Sequence, residues 1–335
     1  MSLLVALGAD RKHEARHPAV AQHCGRARDP VHLALTDAGA AVAVHLHVRR
    51  AGADRPCAEL LRRRSGLHDE RDHGRSVGLP CVAFNVAADA YDRFMGRYSA
   101  VLTPQMADFS QIEAGQQVLD VGCGPGALVA ELIDRGAHVS AVDPSPQFVG
   151  AARERYPDVD VRQAAAEELP FEDASFDAAL AQLVVHFMAD PVQGIAEMAR
   201  VTGDGGVVAA SVWDMVGGQA PISPFWRAAR ELDPGVEGEA RRAGAGEGQL
   251  SELFAQAGLT GIEEAALPVH VEHATFDEWW EPFTLGVGPA GEYYNQLGPE
   301  RQQALERRLR EQLGEPVVLE TRAWAARGIA RRPQQ

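Results

Sequence analysis

From residue 81 onward the sequence predicts an α/β fold, a mostly parallel sheet covered by helices on both faces. Two observations predict it. Short apolar runs alternate with longer amphipathic ones, the rhythm of repeated β-α units. The first apolar run ends in a glycine-rich turn that opens a helix, the place where open α/β sheets bind ligands.

The elements follow in order. Asn85 to Ser99 reads as a helix, with Tyr91, Phe94, Met95 and Tyr98 at helical spacing. Gln117 to Val121 is a short apolar strand, and Gly126 to Arg135 a helix opened by glycines. Val139 to Val142 is a second strand and Pro146 to Arg155 a second helix. Val159 to Arg162 is a third strand, and Phe176 to Gln182 a fourth, followed by a helix over Val192 to Arg200. After the turn Gly203-Asp204-Gly205, Gly206 to Trp213 is a fifth strand. The last third is less regular. Phe225 to Leu232, Gln249 to Ala257, Asp277 to Phe283 and Glu300 to Leu313 read as helices, and Ile262 to Val271 and Val317 to Ala326 as strands. The glycine-rich stretch Gly235 to Gly248 reads as a mobile loop.

Composition divides the chain. Residues 1–80 hold 13 Lys+Arg against 9 Asp+Glu, 8 of the 12 histidines and no Phe, Trp or Tyr. A segment of that length without aromatics lacks the usual core fillers. Residues 1–81 are therefore expected to be a disordered or non-native N-terminal extension, and 82–335 the folded domain. Lys12 is the sole lysine against 31 arginines, a sign of a GC-rich gene in which Val82 would serve as a GTG start. The pairs His13/His17 and His45/His47 lack the four placed ligands a zinc site needs, so no metal is expected.

Residues 81–335 carry 19 Lys+Arg against 38 Asp+Glu, and the whole chain has a net charge of −15. A body this acidic repels phosphates, so nucleic acid is a poor partner. No apolar run approaches the roughly 20 residues of a membrane span. The four cysteines (Cys24, Cys57, Cys81, Cys123) show neither CxxC spacing nor a disulfide framework, which points to a reducing, cytoplasmic setting.

The main chemical signal is Val118-Leu-Asp-Val-Gly-Cys-Gly-Pro-Gly126. Glycines let the backbone approach a ligand closely. The following helix presents free N–H groups and a positive dipole end, which suits phosphate or the carboxylate of an amino-acid cofactor. Asp143, 21 residues after Gly122, ends the second strand, where a carboxylate can accept hydrogen bonds from ribose hydroxyls. Gly122-x-Gly124-x-x-Ala127 also satisfies the dinucleotide fingerprint. Asp120 and Pro125 stand where a dinucleotide loop is usually apolar and proline-free.

Taken together, these residues resemble a known family. Asp120-Val-Gly-Cys-Gly-Pro-Gly126 resembles motif I of the class I S-adenosylmethionine-dependent methyltransferases. Leu169-Pro-Phe171 with Ala174-Ser-Phe-Asp177 resembles the segment entering their fourth strand. Gly203-Asp-Gly-Gly206 resembles the turn before the fifth, with Asp204 in place of the usual proline. Tyr91 to Ser99 resembles the cofactor-covering helix of the ubiquinone/menaquinone-biosynthesis-like, small-molecule branch. The match covers about residues 84 to 328.

The resemblance implies a Rossmann-like seven-stranded sheet of order 3-2-1-4-5-7-6 with the last strand antiparallel. It implies that Gly122, Cys123, Gly124 and Gly126 line the methionine side of S-adenosylmethionine, with Asp120 orienting the loop or meeting the amino group. Asp143 would hold the ribose and Tyr91 would cover the site. Ala165 stands where the family often has an adenine-reading aspartate, so backbone at Ala166 or Glu167 takes that place in the expectation.

The expected reaction is methyl transfer by in-line displacement to a small, hydrophobic or planar acceptor. His186, just past the fourth strand, is the candidate general base, with a buried structural histidine as the alternative. Asp214 is a weaker candidate that could instead cap the next element. Trp213, Phe225, Trp226, Trp279, Trp280, Phe283, Tyr293 and Tyr294 fall in or beside expected lid-forming insertions at about 214–258 and 273–315, though core is the first reading for any single one of them. Two other classes share the glycine loop. A nicotinamide-dependent oxidoreductase commonly needs YxxxK, and no lysine follows Lys12. A non-catalytic cofactor-binding protein is the third reading.

Overall fold

The structure, a computed structural model, describes residues 91–331. The expectations for residues 1–81, the boundary at 82, the histidine pairs and the helix start at Asn85 lie outside them.

Seven strands form one sheet of order β3-β2-β1-β4-β5-β7-β6. They are β1 (Gln117–Val121), β2 (His138–Asp143), β3 (Asp160–Gln163), β4 (Phe176–Gln182), β5 (Thr202–Trp213), β6 (Thr260–His273) and β7 (Val317–Ile329). β1 to β5 pair in parallel, and β7 runs antiparallel to both β5 and β6. This is the topology the sequence motifs imply.

Side chains alternate across the sheet with a period of two. Val118, Ala178, Leu180 and Ala209 join one core, and Leu119, Val121, Ala179, Ala181, Val208 and Ala210 join the other. The first core is closed by α1 (Arg97–Phe109), α2 (Ala127–Asp134), α5 (Ser223–Leu232), α7 (Phe276–Thr284), α8 (Gly288–Gln296) and α9 (Pro299–Leu313). The second is closed by α4 (Pro191–Val201) and α6 (Gln249–Gln256). α3 (Pro146–Arg155) packs with β2 and β3 through Val149 and Ala152.

Local chemistry sets the helix starts. Ser145 accepts a hydrogen bond from the Phe148 N–H, and Pro146 occupies the first turn of α3. Asp190 caps α4 by accepting from the Gln193 N–H at 3.0 Å, again with proline following. Thr275 caps α7 through the Glu278 N–H.

Three elements depart from expectation. The first helix is a π turn (Asp92–Gly96) that continues as α1 through Pro104 to Phe109, ten residues past the expected end. Leu102 and Met106, on either side of the proline, are fully buried and hold this part of the helix on the core. β5 begins at Thr202, and the expected turn is a bulge inside it. Between the pairs Phe176↔Thr202 and Ala178↔Val207 the strand accommodates extra residues, with Gly205 at φ 82. α8 arises in Gly288-Pro-Ala-Gly-Glu, a stretch without helical signal, where Ala290 is buried and Gly291 lies on the Gly286 backbone.

Gly235 to Gly248 is anchored at several points. Glu239 and Ala245 are buried, and the Ala245 carbonyl accepts from the Met215 and Val216 N–H groups. Of the aromatic cluster, Phe225, Trp279, Trp280 and Phe283 are buried and stack on one another, with Phe225 and Phe283 centroids 4.9 Å apart. They are core. Among the described residues, no helix is long and apolar enough to cross a membrane.

Candidate active site

The strand order reverses between β1 and β4, and the carboxyl ends of those strands open a crevice. Asp120 lies on the same sheet face as Val118, two residues before the turn. It is buried, and its Oδ2 has no hydrogen-bond partner. Burial, and then the neighbouring Asp143 carboxylate, push its carboxyl up to about 8.

The loop after Asp120 uses left-handed backbone at Gly122, Gly124 and Gly126 (φ 76, 53 and 100). At Gly122 a Cβ would lie 2.4 Å from Val184 Cγ2, and at Gly126 2.4 Å from the Tyr156 ring. At Gly124 a Cβ would meet nothing within 4 Å. Two of these glycines therefore answer to the protein's own packing, while Gly124 borders open space. That space is a cleft of about 430 Å³ lined by Tyr91, Asp120, Gly122, Cys123, Gly124 and Gln182, among others. α2 begins at the loop with no side-chain cap, so its first N–H groups face the loop end unpaired by side chains.

Asp143 sits behind the loop. Its Oδ2 accepts from the Gly124 N–H at 2.9 Å and its Oδ1 from the Ser145 N–H at 2.8 Å. Burial raises its pKa and outweighs these two bonds. Tyr91 packs on Phe148 with centroids 5.2 Å apart, and its phenol is pushed up by burial and by Asp143. Cys123 is a free, buried thiol whose Sγ lies 3.5 Å from the Gly124 carbonyl oxygen, and burial pushes its pKa up. It packs as a small apolar group rather than standing as a nucleophile.

Tyr91, Asp120, Gly122, Cys123 and Gly124 thus meet in one cleft, with Asp143 and Gly126 bracing the loop from behind. Ala166 and Glu167 lie apart from it. Ala166 belongs to the second core, and Glu167 Oε1 accepts from the Ala189 and Asp190 N–H groups at 2.7 and 3.2 Å.

His186 lies in a short 3₁₀ turn (Val185–Phe187) after β4 and lines a second cavity of about 450 Å³. The cavity is mostly apolar, with Phe94, Met95, Phe187 and Trp213 in its wall. The His186 Nδ1 is buried without a partner. Burial, and secondly Arg242, hold the ring neutral, with its pKa down to about 3. Asp214 is engaged elsewhere: it is ion-paired with Arg322 at 2.7 Å and accepts from the Gly217 N–H within a turn, and it does not cap the next helix, which begins at Ser223 without a side-chain cap.

Sequence reasoning missed two residues. Leu183 lines both cavities and holds a left-handed backbone (φ 63), rare for a branched residue. Glu239 lines the second cavity from within the glycine-rich stretch. A Glu-x-x-Arg spacing to Arg242 was its available signal.

A cradle of open glycine backbone beside a partnerless carboxylate fits the methionyl end of S-adenosylmethionine. Each Asp143 oxygen accepts one bond and keeps a further lone pair.

Comparison with known proteins agrees. Residues 119–210 match the family described as a methyltransferase domain. An uncharacterized methyltransferase of Mycobacterium tuberculosis (strain ATCC 25618 / H37Rv) is 37% identical over 125 residues, which are 37% of this chain and 49% of the relative. A probable S-adenosylmethionine-dependent methyltransferase of Mycolicibacterium smegmatis (strain ATCC 700084 / mc(2)155) is 30% identical over 177 residues, which are 50% of this chain and 68% of the relative. The chain belongs to the S-adenosylmethionine-dependent methyltransferases. This methyltransferase is also similar to a demethylmenaquinone methyltransferase of Paenarthrobacter aurescens (strain TC1), at 32% identity over 122 residues, 36% of this chain and 46% of the relative. The chain spans about half the length of the first and third of these relatives. The matched segment of the methyltransferase domain begins at Leu119, inside β1, and ends at Ala210, inside β5, so it contains the glycine loop, Asp143 and His186.

Proposed function

We propose that the chain transfers a methyl group from S-adenosylmethionine to a small, apolar or planar acceptor by in-line displacement. The observation that carries this reading is the meeting of two cavities: the glycine-loop cleft and the apolar cavity share Tyr91 and Leu183. A methyl donor in the first and an acceptor in the second would be neighbours across that boundary.

When bound, S-adenosylmethionine supplies an activated methyl group on a sulfonium that carries its own leaving group. The chain's own work is then positioning, which can contribute about 7–11 kcal/mol. Gly122 and Gly124, with Cys123 between them, admit backbone close to the methionyl end, and Asp120 offers its free oxygen to a cationic amine. Asp143 serves the ribose and Tyr91 covers the site, while Ala166 and Glu167, which lie apart from the cleft, are given no contact with the cofactor. His186, neutral at the cavity wall, can accept a hydrogen bond but is a weak proton acceptor. Segments 214–258 and 273–315 close over the acceptor through Met215, Ile222, Glu239 and Pro289, which line the apolar cavity, while their aromatic residues pack in the core. The acceptor is a small molecule rather than nucleic acid, in keeping with the net charge of −15, and the setting is cytoplasmic.

Calorimetry with S-adenosylmethionine, S-adenosylhomocysteine and NADH tests the reading. Binding of the first two and not the third is expected, and release of S-adenosylhomocysteine with a metabolite panel completes it. Binding of NADH alone would replace it with the oxidoreductase reading.

A further inference from the structure

The apolar cavity has one ionisable group that the reading above leaves unused. Glu239 lines it and is 4% exposed. A carboxylate this deep is costly unless held. The Trp226 Nε1–H donates to its Oε1 at 3.1 Å, and the Arg242 Nε stands 3.4 Å from its Oε2. Arg242 in turn donates to the His186 carbonyl at 3.2 Å, and its guanidinium lies over the Phe187 ring at 5.1 Å. One arginine thus ties the segment carrying Glu239 to the turn carrying His186.

A carboxylate has about four lone-pair sites, and these two partners leave acceptor capacity over. Around it the cavity offers flat, polarisable walls: Phe94, Phe187, Trp213 and Met95. Such walls suit a ring, and a single buried acceptor at their edge suits a ring bearing one hydrogen-bond donor. Glu239 and Met215 also border an outer cavity of about 380 Å³ on the side of Arg227 and Arg230, so the carboxylate stands in the partition between the two.

Resting on the methyltransferase reading, we propose that Glu239 recognises the methyl acceptor by accepting a hydrogen bond from an O–H or N–H carried on a planar aromatic ring. The group that the carboxylate grips is then the one to be methylated, or lies beside it on the ring. The acceptor class is phenols and aromatic amines.

The test uses matched probes on the full chain saturated with S-adenosylhomocysteine. 2-Naphthol and 2-naphthylamine are compared with 2-methoxynaphthalene and naphthalene by calorimetry or ligand-observed NMR. The donor-bearing rings should bind about tenfold tighter or better, the cost of leaving a buried acceptor unpaired. E239Q should reduce that preference to below about threefold while S-adenosylhomocysteine affinity stays unchanged. The comparison within the wild-type chain needs no variant, so it stands even where E239Q fails to fold. Equal binding of all four rings, or a preference that survives E239Q, overturns the inference alone. Absence of S-adenosylhomocysteine binding overturns the methyltransferase reading and this inference with it.

Discussion

Gly124→Ala separates a ligand-facing glycine from its packing-bound neighbours. Gly124 has φ 53, and an added Cβ would meet no protein atom within 4 Å. The cost to the fold is then the left-handed backbone alone, roughly 1–2 kcal/mol. In a domain of this size that lowers Tm by about 2–8 °C. At Gly122 the same change also drives a Cβ to 2.4 Å from a Val184 methyl, adding about 1–3 kcal/mol of overpacking. Binding should be affected out of proportion at position 124. Gly124 lines the cleft, and a methyl that displaces a ligand by its width costs a comparable 1–3 kcal/mol, about 5–150-fold in affinity. The assay pairs thermal unfolding with calorimetry against S-adenosylhomocysteine. A folded G124A protein that binds within threefold of wild type would refute the placement of the cofactor in this cleft.

Asp120 gives a pH signature. With its folded pKa at about 8 and an unfolded value near 3.8, the folded state binds the extra proton between those limits. Its contribution to stability is full below about pH 4 and is lost as pH rises through 8, so wild type should lose Tm relative to D120N over that window. A cationic ligand favours the ionised carboxylate, so S-adenosylmethionine binding at pH 7 should release a proton, read as a buffer-dependent binding enthalpy that D120N lacks. His186 has the opposite sign: its pKa is depressed to about 3, the unfolded ring takes up protons from about pH 6.5 downward, and H186Q should lose less stability than wild type between pH 7 and 5. Glu167→Ala removes the acceptor of two exposed N–H groups ahead of α4, which water can then satisfy, so a loss of about 0.5–1.5 kcal/mol with S-adenosylhomocysteine affinity held within twofold is expected. A tenfold loss of affinity would place the Glu167 side chain on the cofactor.

The parallel half of the sheet was legible because its signals are local. β1 and β4 have the boundaries read from sequence, since apolar runs there end in turn residues, and α3 and α4 carry a capping side chain followed by proline. The glycine loop and Asp143 came from spacing, and the role expected of Asp120 came from the resemblance to motif I. What sequence could not show depends on partners far along the chain. Glu239 reads as one acid in a flexible stretch until Trp226, thirteen residues earlier, folds over it. Leu183 falls just past the strand read as ending at Gln182, and nothing in a leucine announces left-handed backbone. The aromatic residues of α7 read first as core with a lid as the alternative, and their mutual packing makes them core.

Leu183 also explains why the two cavities meet where they do. A left-handed branched residue costs roughly 1–3 kcal/mol and persists only where its surroundings fix it. Here the Leu183 N–H donates to the Ser211 carbonyl at 2.8 Å, which extends the β4–β5 ladder by one residue while the chain turns away. An ordinary extended leucine would carry β4 onward and move Val184 and His186. Val184 is the residue whose methyls fill the space beside Gly122, and His186 is the one that lines the apolar cavity. The strained turn therefore sets the glycine loop on one side and the apolar cavity on the other, with Leu183 and Tyr91 between them. The reversal of strand order supplies the crevice, and these two residues divide it.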